Sequence, residues 1–473
     1  VGVVRHFDLA IIGTGSANSI PGPDFDDWSI AILEKGLFGG TCTNVGCIPT
    51  KMFVWPAELA TGTVEASRFG VDASLDKVHW PAIRDRIFGR IDAIEAGGRE
   101  YRSGPRTPNQ TVYTGTARFL DAHTIDTGTG ETITADRIVI GAGGRPLIPD
   151  IPGLDDATVK ARVHTSDTVM RIDDLPGRLL IIGGGYIASE FAHVFASFGT
   201  TVIQAVRGDR LLAKHDRDVS EVFTTDAGQR YDLRLNSQIA GLDATADGIT
   251  ATLDGPDGES TLDVDLVLIA TGRTPNSDLL DAEAAGLELH KDGRIKVDAQ
   301  QRTNVDGIWA LGDISSHYAL KHVANAEART VAHNLRHPDA LVATDHRFVP
   351  AAVFGHPQVA SVGLTEDEAV RHGVRHVVKT QQYGDIAAGW AREDTTHFAK
   401  LIADPASGRL LGAHIIGPEA ATVIQPLIQA MSFGQSVRGL ARGQYWIHPA
   451  LPELIENALL GLELDPEPAD DRE

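Results

Sequence analysis

The chain has 473 residues, enough for about three domains that each bury a core. Apolar residues make up 42% and charged residues 22%, the balance of a soluble globular protein. With 42 Lys and Arg against 64 Asp and Glu the net charge is −22, and no compact basic block offsets it, which argues against nucleic acid as the main partner.

In chain order, residues 7–12 (Phe-Asp-Leu-Ala-Ile-Ile) read as a strand rather than a secretory leader. Apolar runs such as Leu179-Leu180-Ile181-Ile182 stop at glycines, far short of a membrane span, so no membrane partner is expected. Two cysteines are too few for a structural disulfide framework. A cytoplasmic location is expected, where a disulfide is more often catalytic than structural.

The opening strand runs into Gly13-Thr14-Gly15-Ser16-Ala17-Asn18, a dinucleotide-binding turn whose third glycine is replaced by Asn18. Glu34 ends the next strand, where an acid can accept from ribose hydroxyls. Pro21-Gly22-Pro23 interrupts the helix that should come after the turn. Then comes Gly39-Gly40-Thr41-Cys42-Thr43-Asn44-Val45-Gly46-Cys47-Ile48-Pro49-Thr50-Lys51, which holds both cysteines. Pro49 marks entry into a helix, whose N-terminus favours thiolate. Lys51, four residues after Cys47, can share its helix face. The thiols can pair across a distorted turn if disulfide geometry allows. Zinc would need about two further ligands, and no metal is expected. Two buried, inert thiols are the alternative.

Residues 137–144 form a second strand-to-glycine ending, with Gly141 and Gly143. The pattern then repeats. Residues 179–182 lead into Gly183-Gly184-Gly185-Tyr186-Ile187-Ala188, and residues 266–273 end in Gly272-Arg273 at a matching distance. Here the next strand ends without a carboxylate, and Arg207 and Arg210 stand ready for a 2′-phosphate, which favours NADP over NAD. Residues 307–313 are a short strand ending in Gly312-Asp313, and residues 319–335 have helical spacing. From about Thr344 strand-like runs (348–354 and 409–417) and a helix-like segment (420–433) indicate a third domain. His448 precedes a helix that Pro452 helps start. Glu453 lies in its first turn, where it suits the helix dipole and can also orient the imidazole as a proton shuttle. Glu456 is a weaker candidate for the same part. The mostly acidic residues 465–473 are expected to be a disordered tail.

The Gly-Gly-Thr-Cys-x-Asn-x-Gly-Cys block, joined to a C-terminal His-Pro-x-x-x-Glu, resembles the pyridine nucleotide–disulfide oxidoreductases of the glutathione reductase and lipoamide dehydrogenase type, from about His6 to Leu464. Residues 47–54, 164–171, 321–325, 382–385 and 441–448 point to one particular branch of that family. The resemblance implies an α/β fold with two Rossmann-like nucleotide-binding domains and a C-terminal α+β dimerisation domain. Residues 1–150 and 277–344 would form the FAD domain, 151–276 the NADPH domain and 345–464 the interface domain. Gly13, Gly15, Ser16, Glu34, Thr41, Gly143 and Asp313 would hold FAD, with Glu34 at the adenosine ribose and Asp313 at the ribityl chain. Gly183, Gly185, Tyr186, Ile187, Arg207, Arg210, Gly272 and Arg273 would lie on the NADPH side. Lys51, paired with Glu190, would stand near the flavin's reactive nitrogen. Cys42 and Cys47 would carry the electrons to a small-molecule disulfide. His448 and Glu453 would serve the pair across a homodimer.

Two positions depart from the family pattern. An arginine often found six residues after the match to Arg207 is Ala213 here, leaving Arg210 or Lys214 to take its part. Residues 19–28 also differ from the glutathione enzymes, in which the equivalent helix helps to line the disulfide pocket. A lipoamide dehydrogenase, a glutathione reductase and a flavoprotein redox sensor or electron carrier remain as alternatives.

Overall fold

The computed structural model describes residues 4–466. In the first sheet, Arg5–Ile12 runs parallel to Ile30–Leu33 on one side and Thr132–Ile140 on the other. Gln110–Tyr113 and Ile308–Ala310 extend it on either side in parallel. Every side chain of Ile30–Leu33 is buried, as a strand covered on both faces requires. The register aligns Ile12 with Leu33 and with Ile140, so Gly13, Glu34 and Gly141 emerge together at one edge. Ligands bind at this carboxyl end in open α/β sheets.

The repeat expected from the sequence is present. Arg178–Ile182 is flanked in parallel by Thr201–Ala205 and Leu266–Ile269. Gly141 N–H donates to Ile12 C=O at 2.8 Å, and its counterpart Ala270 N–H donates to Ile182 C=O at 2.9 Å. The two units are joined where Gly144–Pro146 pairs antiparallel with Arg273–Pro275, just beyond the two matching glycine endings. The third body is a five-stranded antiparallel sheet in the order Ala351–Val353, Val359–Gly363, Leu410–Ile416, Phe398–Ala403, Val377–Gln382.

Three helices set the site. Helix α1 is Gly40–Asn44, α2 is Cys47–Glu65 and α3 is Trp80–Ser103. An aromatic cluster packs α2 and α3 against the Tyr186–Ser197 helix: Phe53 stacks on Trp80 with centroids 5.0 Å apart, and Phe195 lies 5.9 Å from Trp80. Helix α3 carries no motif. Its signals were Pro81 at the first turn and the spacing of the buried Ile87, Phe88 and Ile91.

The helical run expected at 319–335 forms as Lys321–Arg336. The run at 420–433 divides into Ala420–Val423 and Gln425–Ser432, because Pro426 has no N–H with which to continue the first helix. Asp465, the first residue of the expected tail, is tied down: its carboxylate pairs with Arg375 at 2.7 Å and its N–H donates to Pro405 C=O. Residues 467–473 lie outside those described. Among the described residues no helix is long and apolar enough to cross a membrane, and no group of His, Cys, Asp and Glu could hold a metal.

Candidate active site

A left-handed Gly39 (φ 97°) leads into α1, and Gly46 precedes α2. This double turn puts Cys42 on one short helix and Cys47 at the start of the next. Both are free thiols, close enough to act on each other's ionisation. This interaction separates the two sulfurs electrically. Hydrogen bonding from Cys42 and the charge of Lys51 lower the Cys47 thiol to about 7. Cys42, which keeps its proton to make that bond, is pushed strongly upward, with burial adding to the effect and Lys321 opposing it. One sulfur is poised as thiolate and the other as thiol.

Lys51 is held by Glu190 of the Tyr186–Ser197 helix, with Nζ 2.7 Å from Oε1 and 2.6 Å from Oε2. Glu190 is buried, and it also accepts from Phe354 N–H at 2.9 Å. Lys51 Nζ sits 4.8 Å from the centroid of the Phe354 ring. The pair therefore ties the cysteine helix to the second nucleotide unit and to the antiparallel sheet. A cavity of about 600 Å³ opens beside Cys47, bordered by Ile48, Lys51, Met52, Trp55, Arg86 and Phe354. Trp55, Arg86 and Phe354 belong to no motif, so only the packing brings them to this cavity.

For Lys51, the expected result is a shift in the Cys47 titration. The folded protein lowers the Cys47 pKa, so its thiolate persists above about pH 7 and is lost as the pH falls through that value. The alkylation rate of the reduced protein by iodoacetamide should follow that midpoint. Lys51→Met should move it upward by about one unit or more, since the variant removes a cation and leaves the Glu190 carboxylate beside the sulfur. An unmoved midpoint would remove Lys51 from this role.

The first glycine turn has the shape of a nucleotide cradle. Gly13 has φ +100°, and a Cβ there would lie 2.4 Å from Gly141 O. A Cβ on Gly15 or Gly143 would meet nothing within 4 Å, so both border open space. The Glu34 carboxylate is fixed at the edge of this space by Thr14 N–H (2.8 Å), Thr14 Oγ1 (2.7 Å) and Gly36 N–H (2.8 Å). Asp313 has only a distant cation, Arg273 Nε at 3.8 Å, and burial raises its pKa. A carboxylate so placed suits a polyol chain. Thr41 is exposed on α1. These residues fit FAD at the first turn.

At the second turn, Gly183 has φ +135° and packs on Ala270 O, while Gly185 borders open space. Tyr186 begins the helix beside Ile187. It remains 42% exposed, and partial loss of hydration raises its phenol pKa, with the Arg273 charge opposing. Arg273 itself faces Asp313 and donates to Gly144 C=O at 2.5 Å. Gln204 is fully buried and donates to Gly183 C=O at 2.8 Å, so the strand end offers no carboxylate to a ribose. Arg207 is exposed and makes no ion pair among the described residues. It lines a cavity of about 410 Å³ with Asn236, Ser237 and Gln238. Arg210 is partly occupied by Asp209 at 3.1 Å, and Lys214 is exposed.

His448 Nδ1 lies 2.5 Å from Glu453 Oε1. The His448 side chain is 72% exposed and that of Glu453 only 17%. The carboxylate fixes one ring nitrogen and leaves Nε2 free for proton exchange. No described contact joins His448 to either cysteine. Its chain neighbours Tyr445 and Ile447 are exposed, as are Phe433 and Trp390 elsewhere in the third body.

A parallel α/β unit used twice, a helix-borne cysteine pair between its two nucleotide turns and an antiparallel third body define a flavin- and pyridine-nucleotide-dependent disulfide oxidoreductase. The chain belongs to the pyridine nucleotide-disulphide oxidoreductase family, whose pattern matches residues 7–328, and the family's dimerisation domain matches residues 349–459. It is 51% identical to mycothione reductase from Mycobacterium tuberculosis, over 97% of this chain and 100% of that protein. The particular branch to which the sequence points is that of this relative. Mercuric reductase from Streptomyces lividans is 33% identical, with 94% of this chain and 93% of that protein covered. Among solved structures, the HOCl-induced flavoprotein disulfide reductase RclA from Escherichia coli superposes with a TM-score of 0.84 at 27% identity, covering 96% of this chain and 99% of that one. The protein is an FAD-dependent NAD(P)H disulfide oxidoreductase with a redox-active Cys42–Cys47 pair.

Proposed function

We propose that the chain reduces mycothione, the disulfide of mycothiol, with NADPH as electron donor, in the cytoplasm and as a homodimer. The observation that carries the reading is 51% identity across the full length of a mycothione reductase, combined with two free cysteines at the helix that bears the Lys51–Glu190 pair. FAD, when bound, relays an electron pair from NADPH to the Cys42–Cys47 disulfide. Cys47 keeps the resulting thiolate beside Lys51. The partner subunit's His448 accepts the Cys42 proton, and the Cys42 thiolate attacks one sulfur of the substrate, forming a mixed disulfide and expelling the first thiolate. The partner subunit's His448, oriented by its own carboxylate, protonates that leaving group. Cys47 then attacks the Cys42 sulfur, releases the second thiol and restores the internal disulfide. One NADPH and one proton thus yield two thiols from one disulfide.

The homodimer reading is supported by the match to the family's dimerisation domain, by the exposed His448 and by the exposed Trp390, Phe433, Tyr445 and Ile447 within that domain. The division into residues 1–150 with 277–344, 151–276 and 345–464 is supported by Ile308–Ala310 returning to the first sheet and by the Gly144–Pro146 and Arg273–Pro275 ladder at the crossing. Arg207 is the residue best placed for the 2′-phosphate. Arg207→Ala should raise the KM for NADPH about 10- to 100-fold, the worth of a charge-assisted hydrogen bond, while changing that for NADH little. Equal effects on both nucleotides would refute it.

The deciding assay is NADPH oxidation with mycothione, glutathione disulfide and lipoamide side by side. Turnover with mycothione alone supports the reading. Preference for either of the others keeps the mechanism and replaces the substrate. A flavin that NADPH reduces without passing electrons to any disulfide would indicate a redox sensor.

A further inference from the structure

The two glycine turns open into helices of very different length. The second leads into Tyr186–Ser197, a helix of 12 residues. The first leads only into Ser16–Ser19 and Pro23–Phe25, two single turns of 3-10 helix separated at Pro21 and Gly22. An intact helix holds a pyrophosphate with its N-terminal N–H groups and with the positive end of its macrodipole, about half an elementary charge. Four residues supply little of either, yet this is the turn that faces the two negative charges of a dinucleotide's bridge.

A cation occupies the place of the missing charge. Lys321, the first residue of the Lys321–Arg336 helix, crosses from 305 positions away to donate from Nζ to Ser16 Oγ at 2.8 Å. Ser16 Oγ in turn donates to Asn325 Oδ1 at 3.0 Å, one helical turn further along. Ser16 is the residue directly after Gly15, where the backbone opens on to the cradle. Lys321 makes no ion pair with a carboxylate among the described residues, and two of its three N–H donors have no partner.

A second cation lies beneath the same turn. Arg102 is buried, with 7% exposure. It donates to Asn18 Oδ1 at 2.9 Å, to Pro21 C=O at 3.1 Å, to Gln110 Oε1 at 3.2 Å and to Asn18 C=O. These acceptors are all neutral. Arg102 takes up carbonyls that a longer helix would have satisfied, and among the described residues it faces the Tyr101 ring at 5.3 Å but no carboxylate. A buried cation without a counter-charge is costly, so an anion is due nearby.

We propose that Lys321 replaces the lost helix terminus at the first turn by binding the pyrophosphate of FAD, while Arg102 holds the shortened turn in place. The proposal rests on FAD binding at the first turn, where the cradle fits it. A single cation at the start of the Lys321–Arg336 helix also explains how the break at Pro21–Pro23 is tolerated without loss of the cofactor.

The test is the FAD affinity of the purified holoenzyme, read as the flavin fluorescence released on dilution, for the wild type, Lys321→Gln and Lys321→Arg. NADP⁺ binding at the second turn is measured on the same samples as a check on folding. The Kd of the Gln variant should rise about 10- to 100-fold, the range for losing a charge-assisted hydrogen bond. The Arg variant should recover most of that loss, and NADP⁺ binding should not change. Added KCl should weaken FAD binding more steeply in the wild type than in the Gln variant. An unchanged Kd in Lys321→Gln, no recovery in Lys321→Arg or equal salt dependence would overturn the proposal. A wild-type protein that bound no FAD would instead remove the reading on which it stands.

Discussion

Cys42→Ser is expected to lower disulfide turnover by more than about 10³-fold, because the variant lacks the sulfur that forms the mixed disulfide. NADPH should still reduce its flavin, since Cys47, Lys51 and Glu190 are untouched and the first glycine turn does not depend on the Cys42 thiol. The separation of the two half-reactions is the informative part. Cys47 is the sulfur with the lowered pKa, and Lys51 beside it is locked to Glu190. Cys42 lies on the other side of the turn on α1, kept as a thiol by its bond to Cys47. Stopped-flow absorbance of the flavin, then a steady-state assay with the disulfide, measures both halves on one sample. Normal turnover in Cys42→Ser would assign the exchange to Cys47 instead.

His448→Ala should slow turnover by about 10²- to 10⁴-fold, the usual worth of a positioned general acid. The more telling result comes from mixed dimers in which one subunit carries Cys42→Ser and the other His448→Ala. If the imidazole serves the opposite subunit, one of the two sites in such a dimer is intact, and it should keep about half the wild-type rate. If the imidazole serves its own chain, neither site is intact and the mixed dimer should be as inactive as its parents. The geometry favours the first outcome: His448 is oriented by Glu453 at 2.5 Å and exposed, without any described contact to a cysteine of its own chain. Glu453→Gln should fall between wild type and His448→Ala, because it leaves the imidazole present but weakens its orientation and the stability of its charged form.

The elements most legible in the sequence were those encoded locally. The strand, glycine turn and acid of residues 7–34 form as expected because a short apolar run ending at Gly13 can only leave the sheet by a backbone path closed to other residues. The break at Pro21 was equally plain, since proline cannot continue a helix. Helix α3 was harder to see: it is mostly solvated and polar, with only a narrow buried stripe, and tertiary packing on Phe53 and Phe195 makes it a helix. Arg210, read beside Arg207 as a phosphate ligand, is drawn partly to Asp209, a competition that composition alone does not reveal.

The sequence by itself determined the chemistry available: two thiols at the start of a helix, two nucleotide turns and an imidazole five residues before a carboxylate, each written within a dozen positions. Only the tertiary structure decided which charges govern them. Lys51 meets Glu190 across 139 positions, Glu190 meets Phe354 across 164, and Lys321 reaches Ser16 across 305. Such pairings leave no periodic trace, because they depend on how the three largest sheets and their helices pack and not on the local repeat of any strand or helix. The same packing leaves His448 in water, which makes the completion of the site a question for two chains.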